Sequence, residues 1–420
     1  MLDINFIRDN QELLAAAIEK KRVDFDIDAL LALDDKRREL KTTVDEGRRK
    51  KNELSDQIPK VESDDKRQAL IQESKKLKDG LQEKESKLKE VQKEWQVLML
   101  QVPNIPDMSV PAGESEADNQ ELKTWGEKPT FDFEPKDHVE LMREHGMADF
   151  KRGTKVHGFR GYFLKGAGAD LSWSVWNYAR DFFGQFEFET FLAPAIVRKQ
   201  FLYGSGHLPS EAEDLYETQD EDYLSGTAEI PMMAYHGDEI LKKSELPKRY
   251  LAFSPCYRRE AGSHGKDTKG LMRVHEFYKL EQLILCEGTH EESVRLHEEI
   301  TEYTEKFLQS LGLPYRQVII CGGDMKKSQV KSYDLELWVP SEDRYREIAS
   351  LSYYHDFQTR RFNIKYEDDD GDKHYTHSLN GTAIATPRVL VSLVENYQQA
   401  DGSIAVPEAL QPYLNREVIK

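Results

Sequence analysis

The stretch FSPCYRREAGSHGKDTKGLMRVHEFYKLEQ, residues 253–282, decides how the rest of the chain is read. Aromatic and apolar residues recur at both ends and Gly262, Gly265 and Gly270 break the middle, so it reads as strand, loop, strand. The first strand ends in Arg258, Arg259 and Glu260, and the loop adds Lys266, Lys269 and Arg273. Period-two alternation puts Arg273, His275, Phe277, Lys279 and Glu281 on one face of the second strand. A cationic strand end beside a basic loop suits a nucleotide phosphate, and a planar aromatic on the same sheet suits a purine ring. An ordinary hairpin with a charged turn has the same composition, so the stretch alone leaves both readings open.

Outward from it, the texture stays the same from about residue 120 to the end. YFLKG, YLAFSPCYRR, RVHEFYKLEQLILC and SYDLELWVP read as strands, with helical stretches at about 171–186, 288–311 and 387–399. Strands mostly in meander order with helices apart from them predict an α+β fold built on an antiparallel sheet. Upstream, Pro103, Pro106, Pro111 and Gly113 mark a linker over residues 101–119. Before the linker the pattern is heptad. Leu30, Leu33, Arg37, Leu40, Val44, Gly47, Lys51, Leu54 and Ile58 form one run. Leu70, Ser74, Leu77, Leu81, Lys84, Leu88, Val91, Trp95 and Leu98 form the next, with Pro59 and Ser63 between them. Two such runs joined by a turn predict an antiparallel coiled-coil hairpin over about residues 27–100, each helix satisfying the other's apolar stripe. Residues 1–26 read as a short helix and connector. The expected division is therefore 1–100 for an N-terminal domain with the arm, 101–119 for the linker and 120–420 for the main domain.

Composition bounds the function. The 420 residues carry a net charge of −18, which by itself argues against a polyanionic partner. The charge is unevenly spread: residues 27–100 hold 18 Lys/Arg and 17 Asp/Glu, a net of +1, leaving −19 elsewhere. Cys256, Cys286 and Cys321 have neither CxxC spacing nor a neighbouring His/Cys cluster, so no zinc site or disulfide framework is expected, and a reducing, cytoplasmic compartment is. The start, MLDINFIRDNQELLAAA, reads as mature sequence, and no apolar run is long enough for a membrane span. A Walker A motif is absent.

The string RREAG…GLMRVHEF resembles motif 2 of the class II aminoacyl-tRNA synthetases. That resemblance implies Arg258 on the α-phosphate of ATP, Glu260 on the adenine edge and Phe277 stacked on the ring, with Arg259 and Val274 also in the ATP set. LNGTAIATPRVLVSLVENYQQADG resembles motif 3, with Arg388 opening a helix whose Leu390, Leu393, Val394 and Tyr397 form a buried stripe. Arg388 would hold the γ-phosphate; a cation at a helix N-terminus is disfavoured unless an anion sits there. Residues 171–197 resemble motif 1, with Pro194 in a strand, and motif 1 implies a homodimer.

Within that class the pieces Thr227-Ala228-Glu229, Glu281, Glu347-Ile348-Ala349-Ser350 and Asn380-Gly381-Thr382 resemble, in order and spacing, the serine- and ATP-binding positions of seryl-tRNA synthetases. The implied serine set is Thr227, Ala228, Glu229, Glu281 and Thr382. A small zwitterion with a hydroxyl needs carboxylates for its ammonium and partners for its OH, and a site built to bond that OH rejects alanine. Glu347 and Ser350 would hold Mg²⁺ as hard oxygen ligands, with Ile348 and Ala349 completing the ATP set. The resemblance covers nearly the whole chain and implies a serine–tRNA ligase that makes seryl-adenylate and serylates tRNA(Ser), with a tRNA(Sec) left open as a second substrate. The hairpin would contact the long variable arm, with Arg48, Arg49, Lys50 and Lys51 as phosphate contacts, or else as a solvated helix surface. Many relatives have Glu-Ile-Ser-Ser followed by Cys-Ser-Asn. Here Ala349 and then Leu351-Ser352-Tyr353 stand, and Thr382 replaces a Ser found in some members.

Two short pieces point elsewhere. His207-Leu208-Pro209 and Met325-Lys326-Lys327-Ser328 faintly match the class I signatures HIGH and KMSKS. His207 lies in a Gly/Pro-rich loop without a doubly wound βαβ series around it, which sets class I aside. The rivals from other classes are a paralogue that activates an amino acid for a carrier protein and a non-catalytic coiled-coil scaffold that binds tRNA. The intact hairpin speaks against the first, and intact Arg258, Glu260, Glu281, Glu347 and Arg388 against the second.

Overall fold

The computed structural model describes residues 1–420 apart from His264 and Lys266, so the loop cation Lys266 lies outside the described residues. The chain divides into two compact units: Leu2–Glu19 with Val23–Pro103, and Asn104–Lys420 with Met1 and Lys20–Arg22.

The first unit is helical. Helices α1 (Ile4–Asp9) and α2 (Gln11–Lys20) precede the long pair α3 (Ile27–Gln57) and α4 (Asp64–Gln101). Helix α3 starts where it does because the Asp26 carboxylate accepts the Ala29 N–H at 2.9 Å. A 3₁₀ turn at Ile58–Lys60 reverses the chain. Leu30, Val44 and Leu54 are buried along α3, and Leu81, Val91 and Met99 along α4. At Gly47 the helices come so close that a Cβ would lie 3.0 Å from Leu81 Cδ1. One heptad position behaves differently from its sequence reading. Lys84 is exposed, and the half-buried Glu85 turns inward instead, accepting from Arg48 Nε of α3 at 2.8 Å. The polar position Arg37 is explained by its partners: it donates twice to the buried Asp34, at 3.0 and 2.7 Å, and lies 4.2 Å over the Trp95 ring. Arg8 of α1 donates to the other oxygen of Asp34 at 3.1 and 2.6 Å, so the buried carboxylate is gripped from both sides.

The second unit is α+β. Its eight-stranded sheet comprises β1 (Gln120–Trp125), β2 (Glu189–Leu192), β3 (Lys248–Tyr257), β4 (Glu276–Cys286), β5 (Tyr315–Ile319), β6 (Lys331–Val339), β7 (Arg344–His355) and β8 (His377–Thr386). Their order is β1-β5-β6-β7-β8-β4-β3-β2, antiparallel throughout except for the β2–β3 edge. Helices α5 (Ala167–Phe183), α6 (His290–Ser310) and α7 (Arg388–Asn396) supply the core, with Leu171, Leu296, Ile300, Phe307 and Leu390 packed against Leu351, Leu379 and Ala383 of the sheet. Leu351 and Leu379 face this core, so alternation sends Ser350, Ser352, Asn380 and Thr382 to the other side.

Three local expectations change. YFLKG forms a single bridge, Ala148 to Leu164, because Gly158 (φ +90°) and Gly166 (φ +52°) turn the chain on both sides. Strand β4 starts at Glu276, not Arg273: the Leu271 N–H is taken by His138 Nε2 at 3.2 Å, and Arg273 is drawn to Glu260 and Asp267. Pro194, which offers no N–H to a ladder, falls in the break between β2 and a short strand at Ile196–Arg198.

Candidate active site

Alternate residues of β4, β7 and β8 line a cavity of about 310 Å³ on the side of the sheet away from the core helices. One group of side chains in it is anchored on Lys279 and Glu281 of β4. Thr227 Oγ1 donates to Glu281 Oε2 at 3.1 Å and accepts from Lys279 Nζ at 2.8 Å and from the Glu229 N–H at 3.2 Å. Lys279 also pairs directly with Glu281. Thr382 is the rung opposite Glu281, and Asn380 is the rung opposite Ser352. Tyr354 donates to Asn380 Oδ1 at 3.1 Å. Glu229 opens a helix at Glu229–Tyr235 and accepts from Gln358 Nε2 at 2.6 Å; burial pushes its carboxyl up to about 7.

The second group follows from the ends of β3 and β4 and the start of α7. Arg258 leaves β3 with its guanidinium 5.3 Å from the Phe277 ring and donates to Gly226 O at 3.4 Å. Glu260, at φ +54°, pairs with Arg273 at 2.5 Å. Arg388 donates from Nε to Met272 O at 3.0 Å and from Nη1 to Glu347 O at 2.7 Å, with its Nη1 3.5 Å from the Glu347 carboxylate. Burial works against the charge of Glu347, but Arg388, Arg258 and Arg273 outweigh it and hold the carboxyl below its ordinary value. Ser350 lies on the same strand, opposite Asp334, whose Oδ1 is buried with no hydrogen-bond partner among the described residues. Glu347 and Ser350 bring two hard oxygens to the cavity wall, the donor type that suits Mg²⁺. Among the described residues there is no group of three or more His, Cys, Asp or Glu arranged to hold a metal by themselves.

Residues 1–106 match the Seryl-tRNA synthetase N-terminal domain, and residues 213–397 match the tRNA synthetase class II core domain (G, H, P, S and T). The chain is 45 % identical to the "Serine--tRNA ligase" of Deinococcus radiodurans, covering 100 % of this chain and 99 % of that one. It belongs to the seryl-tRNA synthetase family. The solved seryl-tRNA synthetase of Pyrococcus horikoshii, complexed with ATP, superposes with a TM-score of 0.90 at 34 % identity, covering 100 % of this chain and 99 % of that one. The cytoplasmic Serine-tRNA ligase of Naegleria fowleri, in complex with AMP, gives a TM-score of 0.87 at 30 % identity, also covering 100 % and 99 %.

Of the residues singled out from the synthetase motifs, Thr227, Glu229, Arg258, Glu260, Val274, Phe277, Glu281, Glu347, Ile348, Ser350, Thr382 and Arg388 converge on this one cavity. Three do not reach its wall. Ala228 is buried in a neighbouring apolar cluster, the Arg259 side chain is exposed, and Ala349 is buried among the core residues. The hydroxyl absent at Ala349 is therefore absent from the core side of β7, not from the cavity. Tyr353 also points away from the cavity, donating to Asp107 Oδ2 at 2.8 Å, while its neighbours Ser352 and Tyr354 line the wall.

The cavity also holds residues to which the motifs gave no role. Lys279 was on the Glu281 face by alternation, the signal that could have found it. Alternation from Ser350 likewise reaches Tyr354, whereas Gln329, His207 and Lys326 come from elements whose meeting point the sequence does not reveal. On the arm, Arg48 pairs with Glu85 at 2.8 Å, Arg49 lies 3.9 Å from Glu53 and Lys50 lies 3.4 Å from Glu73. Three of the four cations of that cluster thus have carboxylate partners within the hairpin, in exposed pairs of small energetic weight that a phosphate could displace.

Proposed function

We propose that this cavity condenses L-serine with ATP to seryl-adenylate and then passes the seryl group to the 3′ end of tRNA(Ser). The observation that carries the reading is the single cavity in which Arg258, flanked by Phe277, adjoins the Thr227–Glu281–Lys279 cluster. The groups proposed for the nucleotide and for serine thus line one cavity. The ATP and AMP complexes of the two solved relatives support a nucleotide here.

In this reading Phe277 stacks on adenine and Glu260, with one oxygen held by Arg273, accepts from the adenine edge. Arg258 takes the α-phosphate, and Arg388, two of whose donors are fixed on backbone carbonyls, turns its remaining N–H toward the γ-phosphate. Glu229 and Glu281 take the serine ammonium, and Thr382 and Glu281 its hydroxyl. The carboxylate of serine attacks the α-phosphorus in line; the P–O bond to pyrophosphate breaks as the acyl–phosphate bond forms. Charge growing on the α-phosphate oxygens meets Arg258, which is already in place, so little reorganisation is needed. Mg²⁺ held by Glu347 and Ser350 would neutralise phosphate charge when bound. The terminal ribose hydroxyl of the tRNA then attacks the adenylate carbonyl and AMP leaves.

We place the enzyme in the cytoplasm as a homodimer whose arm meets the tRNA variable arm. Exposed apolar side chains on the motif 1 elements, Trp173, Leu192 and Ile196, support a subunit contact there. No helix among the described residues is long and apolar enough to cross a membrane. Arg258→Ala tests the centre of the reading. Serine-dependent ATP–pyrophosphate exchange should fall by at least about a hundredfold; exchange at the wild-type rate would remove Arg258 from the reaction.

A further inference from the structure

The two pieces that resembled class I signatures, His207-Leu208-Pro209 and Met325-Lys326-Lys327-Ser328, meet at the wall of the class II cavity. Lys326 Nζ pairs with Glu211 Oε1 at 2.7 Å. The other Glu211 oxygen lies 3.9 Å from His207 Nε2, and His207 Nδ1 is 2.9 Å from Ser205 Oγ. The Lys326 backbone is fixed as well: its N–H donates to Gln329 Oε1 at 2.9 Å, and Gln329 Nε2 donates to Ser352 Oγ at 2.7 Å on the cavity floor. Lys326 lines the cavity, and 52 % of its side chain is accessible.

The carboxylates that line the cavity each have another partner. Glu281 has Lys279 and Thr227, Glu229 has Gln358, Glu260 has Arg273 and Glu347 has Arg388. Glu211, the ion-pair partner of Lys326, is not part of the lining, so it holds the ammonium from behind and leaves N–H donors for the cavity. The charged groups that act most strongly on Lys326 besides Glu211 are Arg258 and Glu229. The Glu347–Arg388 pair of the phosphate side is not among them. Lys326 thus shares the cavity wall with Arg258, the cation proposed for the reacting anion, and Glu229, the carboxylate proposed for an ammonium, and the charges of both act on it. An α-amino acid presents both an ammonium and a carboxylate to such a wall.

We infer that Lys326 binds the carboxylate of the amino-acid substrate together with Arg258, and that Glu211 positions it. The inference rests on the proposed serine site and adds to it a second cation at the attacking carboxylate. A lysine suits the place: as a point charge with three donors it can keep Glu211 and still bond a carboxylate oxygen.

The test compares L-serine with L-serinamide, in which a neutral amide replaces the carboxylate, by calorimetric titration of the full-length chain. Lys326→Met should weaken serine roughly ten- to a hundredfold and serinamide less than about threefold, the span expected for one charge-assisted hydrogen bond. Lys326→Arg should keep most of the preference for serine, and Glu211→Gln should lose part of it. Equal losses for both ligands would make Lys326 a strut for the loop and overturn the inference, as would unchanged serine binding. A wild-type chain that binds neither ligand would instead sink the serine reading on which the inference stands. Should Lys326→Met not fold, Lys326→Gln read against the same two ligands decides between the same outcomes.

Discussion

Glu229 carries one of the sharper consequences at the residue scale. Burial pushes its carboxyl up to about 7, so it is largely neutral below that pH. An ammonium placed against it would favour the charged form and bring the value down again. Binding then releases a proton between the lowered value and about pH 7, and affinity for serine rises with pH through that window and levels off above it. Titration calorimetry at pH 6 in two buffers of different ionisation enthalpy should detect the released proton, and Glu229→Gln should abolish it. Release unchanged in Glu229→Gln would show that the proton comes from elsewhere. Residues of this kind were legible in the sequence when they lay on a strand whose period could be counted: Glu281, Phe277 and Lys279 share a face for that reason. Lys326 and His207 were not, because their loops reach the cavity only through the closure of the whole sheet.

At the scale of elements, regular alternation carries the site until a bulge interrupts it. On β7, Ser350, Ser352 and Tyr354 face the cavity in step, yet Glu347 does too, because the register shifts between Glu347 and Ala349 opposite Leu335 and Glu336. A side-chain pattern does not announce that shift; Ala349, which the resemblance puts in the ATP set, alternates with Ser350 and lies in the core. The loop between β3 and β4 is held by a different device. His138 Nδ1 donates to Glu395 Oε1 of α7 at 2.8 Å while its Nε2 accepts the Leu271 N–H, so one imidazole ties the end of the loop to the helix that starts at Arg388. Gly270 makes room for it: at φ +77° a Cβ there would lie 2.0 Å from His138 Nε2. Gly146 has φ +63° with nothing within 4 Å of its Cβ position, which makes it the control. Gly146→Ala should cost only the left-handed conformation, about 1 kcal/mol. Gly270→Ala should cost roughly 2–4 kcal/mol and raise the KM for ATP severalfold by loosening Met272 and Arg388. Urea unfolding and exchange kinetics check the pair. Equal stability losses with an unchanged KM would deny the imidazole its linking role.

The whole molecule has to reconcile a net charge of −18 with a polyanionic substrate. Residues 27–100 hold +1 of it, so the acidity belongs to the rest of the chain. The net charge of the body therefore supplies no long-range attraction for tRNA, and in the proposed reading productive docking depends on contacts the arm would make at short range. The arm is built to be separable. Its apolar seam closes on itself through Val44, Leu54, Leu81 and Val91, and the sheet and its helices have a core of their own. Replacing residues 30–97 by a short turn should leave serine-dependent ATP–pyrophosphate exchange within about twofold of wild type, since no cavity residue is removed. Transfer of serine to tRNA should fall by a hundredfold or more, if the arm supplies about 3 kcal/mol or more of the binding that orients the acceptor end. Rising salt should reproduce part of that loss in the intact enzyme without touching exchange, because phosphate contacts are screened and a cavity-bound zwitterion is held by buried partners. Equal loss of exchange and transfer in the shortened chain would mean that the arm supports the cavity itself, and the division of labour between the two units would have to be abandoned.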